Sequence, residues 1–117
     1  MMKKVLLLIT LFFITLGAQA QNKDAKAMIE VDGVCLMCKD RIEKAAIKTK
    51  GVKTATWDVN THLLSVIYDE RKTNLNIIHQ SVADAGHDTK KVTASAEAYA
   101  SIHACCKYRD AAVVKEH

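Results

Sequence analysis

The four cysteines of this 117-residue chain fall into two close pairs. Cys35 and Cys38 are three residues apart, and Cys105 and Cys106 are adjacent near the C-terminus. Two thiolates on one short loop can approach a soft ion from opposite sides, which favours Cu(I), then Hg(II) or Zn(II). Proteins that exchange thiols and disulfides use the same Cys-x-x-Cys spacing, so the first pair alone is compatible with both chemistries.

The first cysteine pair lies at the start of a predicted helix. Apolar residues recur at helical spacing over residues 39–50, and Gly51 is suited to a left-handed C-terminal cap. Unpaired backbone N–H groups and the helix dipole favour an anionic thiolate at Cys38. Lys39 and Arg41 add positive charge nearby, so we expect lowered thiol pKa values.

The remaining patterns predict an α+β fold with the order β-α-β-β-α-β. A second helix should begin near Thr73 or Asn74 and end at Gly86. The predicted strands cover residues 28–31, 52–59, 62–69 and 88–93, of which the middle two form a hairpin. Right-handed crossovers then give a four-stranded antiparallel sheet with both helices on one face, the ferredoxin-like fold.

The N-terminus has the pattern of an export signal. Lys3 and Lys4 precede an apolar run, and Ala-Gln-Ala follows it, so we predict a signal peptide over residues 1–20 with cleavage between Ala20 and Gln21. The apolar run is short for a bilayer, which argues against a stable membrane anchor. The alternative is an uncleaved anchor. A periplasmic or secreted protein is therefore expected.

The charge pattern and the motifs exclude several functions. The formal net charge of +4 falls to +2 without Lys3 and Lys4, and the basic residues are scattered, which predicts no nucleic-acid partner. The sequence contains no recognisable catalytic constellation and no Gly-rich phosphate loop. We predict that the protein is not an enzyme.

Residues 28–93 resemble the heavy-metal-associated domain of copper chaperones, metal ATPases and periplasmic mercury-binding proteins. The resemblance rests on four segments and three single positions: Cys-Leu-Met-Cys at 35–38, Arg-Ile-Glu-Lys-Ala at 41–45, Gly-Val at 51–52, Ala-Gly-His at 85–87, and Val66, Tyr68 and Asp69. It implies metal binding by Cys35 and Cys38 and transfer through a shared-ligand intermediate. The implied partner is a metal transporter or an acceptor metal-binding domain. We expect a monomer, with a metal-bridged dimer as the alternative.

Two positions depart from the family pattern. Gly33 stands where the family usually has a methionine that packs under the loop, so a differently shaped loop is expected here. His87 stands where the family commonly has tyrosine. It is a candidate auxiliary metal ligand or a hydrogen-bond donor to a ligand, and the favoured alternative is a half-exposed loop histidine.

The chain divides into the signal peptide, a heavy-metal-associated domain over residues 21–93 and an extension over residues 94–117. The extension contains a predicted helix over 96–100, and its double-cysteine ending is similar to that of an exported bacterial subgroup of the family. Cys105 and Cys106 can fold back over the loop and complete a three- or four-sulfur site for Zn(II) or a small Cu(I) cluster. A disulfide to Cys35 or Cys38 is the equal alternative.

The sequence predicts an exported protein that captures, buffers or hands over Cu(I) or a similar soft ion to a metal export system. Lys39 and Lys44, near the loop, are expected to meet an acidic patch on the partner. One alternative is a thiol–disulfide protein in which Cys35 and Cys38 cycle and the two tail cysteines resolve the disulfide. Another is a mercury(II) scavenger.

Overall fold

The computed structural model describes residues 21–117, so the predicted signal peptide lies outside the described residues. The domain consists of β1 (Ala25–Glu30), α1 (Leu36–Ile47), β2 (Val52–Trp57), β3 (Leu63–Tyr68) and α2 (Leu75–Asp84). The tail contains α3 (Ala96–Ala100), a 3-10 turn (Ala104–Cys106) and α4 (Ala111–Lys115). Within the described part of the chain, every helix is too short or too polar to cross a membrane.

The strands form an antiparallel sheet in the order β1-β3-β2, with β3 in the centre. Alternate residues of β3, including Leu64 and Val66, are buried, as period-two patterning requires of a sheet with one covered face. The same core contains Ile42 from α1 and Ile78 and Val82 from α2. Both helices therefore cover one face, which is the predicted ferredoxin-like arrangement.

The prediction of a fourth strand over residues 88–93 is wrong for the described structure. That segment makes a single antiparallel bridge, between Val31 and Thr89. The Thr89 N–H then donates to the Val92 carbonyl at 2.9 Å, and the Val92 N–H donates back to the Thr89 hydroxyl at 3.0 Å. This local turn uses the N–H and carbonyl groups of Val92, which a longer strand would pair with β1. Pairing with the edge of the sheet therefore stops after one residue.

The first strand and the first helix both begin earlier than predicted. β1 starts at Ala25, opposite Tyr68, whereas the sequence indicated residue 28. α1 starts at Leu36 because Cys35 is its extended N-cap. The buried Cys38 continues the helical spacing of Ile42 and Ala46 into this first turn, so the apolar pattern includes it and the predicted start at residue 39 was too late.

α1 ends at Ile47, three residues before the predicted end, whereas the predicted cap residues of α2 are confirmed. The Asn74 side chain caps α2 by accepting the N–H of Ile77 at 3.0 Å, which satisfies one of the unpaired groups of the first turn. Gly51, after α1, and Gly86, after α2, have φ of +95° and +108°. A left-handed backbone of this kind favours glycine.

Trp57 fills the space under the cysteine loop. Its ring is 1% exposed, and its Nε1–H donates to the Val31 carbonyl at 3.1 Å. A Cβ at Gly33 would lie 3.0 Å from two atoms of this ring and 3.1 Å from Cβ of Cys38. The indole therefore occupies the volume that a side chain at position 33 would need, and the loop has a glycine for a steric reason.

We predict that Gly33→Ala lowers the free energy of unfolding by about 1–3 kcal/mol, because the buried Trp57 ring and the Cys38 backbone must move to admit one methyl group. Urea denaturation of the reduced protein measures the effect. In a Trp57→Phe background the offending ring atoms are missing, so the same substitution should cost less than half as much. An equal cost in both backgrounds would contradict the steric explanation.

Candidate metal centre

The tail brings a third thiol against the cysteine loop. The Cys35 sulfur lies 3.4 Å from that of Cys38 and 3.1 Å from that of Cys106, which is 71 residues away in the sequence. The sulfurs of Cys35, Cys105 and Cys106 also lie within 4.8 Å of one another. The four cysteines that the sequence suggested as ligands thus come together around Cys35, and all four are free thiols.

The start of α1 controls the ionisation of Cys35. Partial burial raises the pKa of this thiol, but hydrogen bonds from the Cys106 thiol and from the backbone N–H groups of Cys38 and Met37 outweigh it. The net result is a pKa below the ordinary cysteine value. This agrees with the expected influence of a helix N-terminus on a thiolate.

The expectation of a lowered pKa is wrong for Cys38. Its side chain is fully buried, and burial raises the pKa of the thiol. Burial also raises the pKa of Cys106, and the neighbouring Cys38 and Cys35 sulfurs raise it further. Without a metal, the cluster therefore has one thiol disposed to ionise and two buried thiols that hold their protons.

Lys39 has a structural role next to this cluster. Its ammonium donates to the Trp57 carbonyl at 2.9 Å and to the Glu43 carboxylate at 2.5 Å. Glu43 in turn accepts the Trp57 N–H at 2.8 Å. The pair thus ties α1 to the end of β2, and Lys39 is not a free surface charge.

Cys105 is the outermost of the four thiols. It is half-buried, and its sulfur donates to the thioether of Met37 at 3.4 Å. Met37 itself is 46% exposed. These two residues therefore place soft donor atoms at the solvent side of the cluster.

His87 is buried, so its interpretation as a half-exposed loop residue is wrong. Its Nδ1–H donates to the Asp32 carbonyl at 2.8 Å, and its ring stacks on Tyr108 with centroids 5.4 Å apart. Burial lowers the pKa of the imidazole, which favours the neutral ring. Among residues 21–117 its Nε2 has no hydrogen-bond partner, and the group of ligand atoms that could hold a metal does not include it.

Tyr108 and Arg109 hold the tail on the domain. The Tyr108 hydroxyl donates to the Gly86 carbonyl at 2.7 Å and accepts the Asp88 N–H at 2.8 Å. The Arg109 guanidinium forms two hydrogen bonds with the Asp88 carboxylate, at 2.7 and 3.1 Å. A paired, partly buried arginine–carboxylate contact of this geometry is directional as well as attractive.

Gly86 connects this tail contact with the fold. A Cβ at this position would lie 2.5 Å from a methyl carbon of Ile102 and 2.7 Å from the Ala98 carbonyl oxygen. The tail therefore approaches the backbone after α2 more closely than any side chain allows. Because Ile102 is itself buried, the tail is part of the core rather than a loose appendage.

The sulfur distances suit a soft ion after small side-chain rotations. Two sulfurs that share a tetrahedral ion with bonds of about 2.3 Å lie about 3.8 Å apart, and two on opposite sides of it lie about 4.6 Å apart. The observed 3.1 and 3.4 Å are below these values, and both are well above the roughly 2.05 Å of a disulfide. Metal binding and disulfide formation each need only a local movement.

A family model described as heavy-metal-associated domain matches residues 29–88. The chain belongs to the heavy-metal-associated domain family. The match ends before the tail, so Cys105 and Cys106 lie outside the part that this model covers. The similarity that was expected from the cysteine loop, the first helix and the hairpin is confirmed.

Similar proteins cover the same half of the chain. The copper chaperone CopZ of Staphylococcus haemolyticus (strain JCSC1435) is 31% identical over 64 residues, which are 54% of this chain and 94% of the relative. A solved CopZ metallochaperone has 27% identity and a TM-score of 0.54, covering 56% of this chain and 98% of its own. Both relatives are named as metal chaperones.

Two further structures extend the comparison to a domain of a potential P-type ATPase and to MerP. The N-terminal domain of a potential copper-translocating P-type ATPase from Bacillus subtilis, in its Cu(I)-loaded state, has 26% identity and a TM-score of 0.54, covering 57% of this chain and 85% of its own. Oxidized MerP from Ralstonia metallidurans CH34 has 25% identity and a TM-score of 0.50, covering 56% and 96%. The chain is thus a copper-chaperone-like domain with a cluster of cysteines.

Sequence reasoning missed the residues that hold the tail in place. Tyr108 and Arg109 follow the double cysteine directly, but their partners are 20 and 21 residues away. His79 is also buried, and its ring is hydrogen-bonded to the Thr89 hydroxyl at 2.7 Å. No local pattern signals such contacts, because each depends on how α2 and the tail pack.

We predict that Tyr108→Phe lowers the free energy needed to detach the tail from the domain by about 1–3 kcal/mol, because the Gly86 carbonyl and the Asp88 N–H both lose a partner. Cys106 is fully buried, so its alkylation in the reduced protein should accelerate at least about fivefold. Mass spectrometry of the alkylated peptides measures the rate. Tyr68→Phe, at the far end of β3, is the matched control and should leave the rate unchanged. Unchanged alkylation in Tyr108→Phe would show that these bonds do not hold the tail.

Proposed function

We propose that this protein is an exported carrier that captures Cu(I) and hands it to a metal transporter. The observation that carries the proposal is the meeting of three sulfurs, with Cys35 between Cys38 and Cys106 at 3.4 and 3.1 Å. Three convergent thiolates form a soft, low-coordinate site that suits Cu(I) and offers nothing to hard ions such as Mg²⁺.

The different pKa values of the three thiols support a binding order in which Cu(I) meets Cys35 first and the two buried thiols afterwards. Cys35, with its lowered pKa, is the first thiolate to meet an ion. The buried Cys38 and Cys106 thiols then exchange their protons for the metal, as every thiol ligand must. The ion ends in a site from which the tail excludes water, and this favours retention.

The relatives support a partner of the same family. Copper chaperones and a domain of a potential copper-translocating P-type ATPase share this fold, so a docking of two such domains with shared thiolates is a natural route of transfer. Exposed Leu36 and Met37 lie beside the cysteines and would form the apolar centre of that contact. The signal-like N-terminus supports an exchange outside the cytoplasm, and we expect a monomeric carrier.

Anaerobic competition for Cu(I) against a chromophoric chelator tests the proposal. The reduced protein should remove at least one equivalent from a tight chelator, and Cys35→Ser with Cys38→Ser should abolish the uptake. Cys106→Ser should lower the affinity for the first equivalent of Cu(I) by about tenfold or more, since a third ligand is lost. A tenfold change corresponds to about 1.4 kcal/mol. Parallel titrations with Hg(II) and Zn(II) decide the preferred ion.

Failure of the reduced protein to compete for Cu(I) would overturn the proposal. Tighter relative retention of Hg(II) would identify a mercury scavenger, to which the likeness to MerP is relevant. An unchanged first equivalent in Cys106→Ser would restrict the site to the Cys-x-x-Cys pair and remove the tail from it.

A second candidate function is thiol–disulfide exchange, which the 3.1 Å contact between Cys35 and Cys106 favours. Attack by the Cys35 thiolate on a partner's disulfide would form a mixed disulfide, and Cys38 or Cys106 would resolve it while the partner leaves as a dithiol. Equilibration with glutathione buffers followed by thiol mapping measures the potential. A reduction potential for the Cys35–Cys106 pair that is well below about −300 mV would indicate a stable crosslink rather than an exchanging pair.

We predict that Lys44→Glu slows transfer of Cu(I) to an acidic acceptor domain without weakening Cu(I) binding. Lys44 is exposed, and its ion-pair partner within residues 21–117 is Asp40, at 3.1 Å across one helical turn, whereas Lys39 is unsuitable because it supports β2. Reversing a charge at the rim of a contact changes the association rate and its salt dependence. Stopped-flow transfer to that acceptor at low and high salt measures the effect, and Lys53→Glu, distant from the loop, is the control. Equal rates for both variants would exclude Lys44 from the docking surface.

A further inference from the structure

The thioether of Met37 belongs to the sulfur cluster. Cys105 lies 3.4 Å from Met37, and the Cys105 sulfur is within 4.8 Å of those of Cys35 and Cys106. A methionine at the start of an exposed helical turn would ordinarily pack against carbon or face water. Here its sulfur meets the tail thiol, so five soft donor atoms form one continuous group.

The five sulfurs are arranged in two layers. Cys38 and Cys106 are fully buried, whereas Met37 is 46% exposed and Cys105 is half-buried. Cys35, Met37 and Cys105 line a depression that opens to solvent. The inner layer can therefore hold an ion away from water, while the outer layer remains accessible to an incoming ion or an acceptor.

We propose that the cluster holds two Cu(I) ions. The inner ion lies on Cys35, Cys38 and Cys106, and the outer ion lies on Cys35, Cys105 and the thioether of Met37. The Cys35 thiolate bridges the two ions, as the sulfur nearest to both layers. Each cysteine releases its thiol proton to solvent as it binds, the thioether has none to lose, and no electron is transferred.

This inference rests on the proposed function and adds an exchangeable position to it. The outer ion has a neutral thioether ligand and open access to solvent, so it binds more weakly than the inner ion and leaves first. Transfer to an acceptor then starts at Met37 and Cys105, while the inner ion stays in place.

Counting bound Cu(I) in the reduced protein tests the two positions. Anaerobic titration against chelators of graded strength should give two equivalents for the wild-type chain. Cys105→Ser should bind one equivalent with unchanged affinity, and Met37→Leu should weaken the second equivalent by about tenfold or more without affecting the first. Met28→Leu is the matched control, since Met28 is 68% exposed on β1, and it should behave as wild type.

The methionine methyl groups report the order of filling. In protein labelled with ¹³C at the methionine methyls, the Met37 signal should stay in place during the first equivalent and shift during the second. The Met28 signal should not move at either stage. Loss of the Met37 shift in Cys105→Ser would link the two donors to one ion.

Three results would overturn the inference while leaving the proposed function intact. They are a wild-type chain that takes a single equivalent, a Cys105→Ser variant that still takes two, and a Met37 methyl signal that shifts with the first equivalent. The last of these would mean that one ion uses all the donors. Absence of any Cu(I) uptake would overturn both proposals, so the two kinds of failure are distinguishable.

Discussion

The hydrogen bonds of the Tyr108 hydroxyl determine what kind of site this domain has. They join the tail to the Gly86 carbonyl and the Asp88 N–H, and they lie only two residues beyond Cys106. Because only two residues of backbone separate Cys106 from the hydrogen-bonded Tyr108, Cys106 has little freedom to move, and its sulfur is held next to that of Cys35. With the tail in this position a two-thiol loop becomes a four-thiol cluster, and two of its thiols are closed to solvent.

This closure has consequences for a carrier. A soft ion needs several thiolates to be retained, but a partner needs access to at least one ligand position to receive it. The tail supplies the additional thiols from a separate segment, whose Ile102 and Cys106 are buried in the core. Its contact between Arg109 and Asp88 is polar and partly exposed, and such a contact stabilises less than the burial of apolar side chains. The tail therefore closes the inner thiols as a fixed part of the fold, and Cys35 and Cys105 are the thiols that stay partly accessible.

The Trp57 ring supports the cysteine loop from the sheet. It occupies the space under Gly33, and the Lys39–Glu43 pair fixes the backbone of the same tryptophan. The geometry of Cys35 and Cys38 thus depends on β2 as well as on the loop itself.

Much of this protein could be predicted from its sequence, because the signals are local. The order of strands and helices, the Asn74 cap and the glycines after both helices follow from periodicity and backbone preference within a few residues. The motif around Cys35 and Cys38 identified the family on similarly local grounds. The failures were also local in origin: the turn at Thr89 competed with a fourth strand, and the buried face of α1 begins at Cys38, one residue before the predicted helix.

The tertiary structure alone decided which thiols meet and which of them are closed to water. The sequence by itself determined the fold, the family and the presence of four thiols, since those properties depend on residue types at short spacing. The contact of Cys106 with Cys35, the pairing of Cys105 with Met37 and the burial of His87 depend on the packing of segments that are 55 to 71 residues apart. Short-range preferences carry no information about such distances, because the contact forms only after the core has closed and the tail has found its place against Gly86.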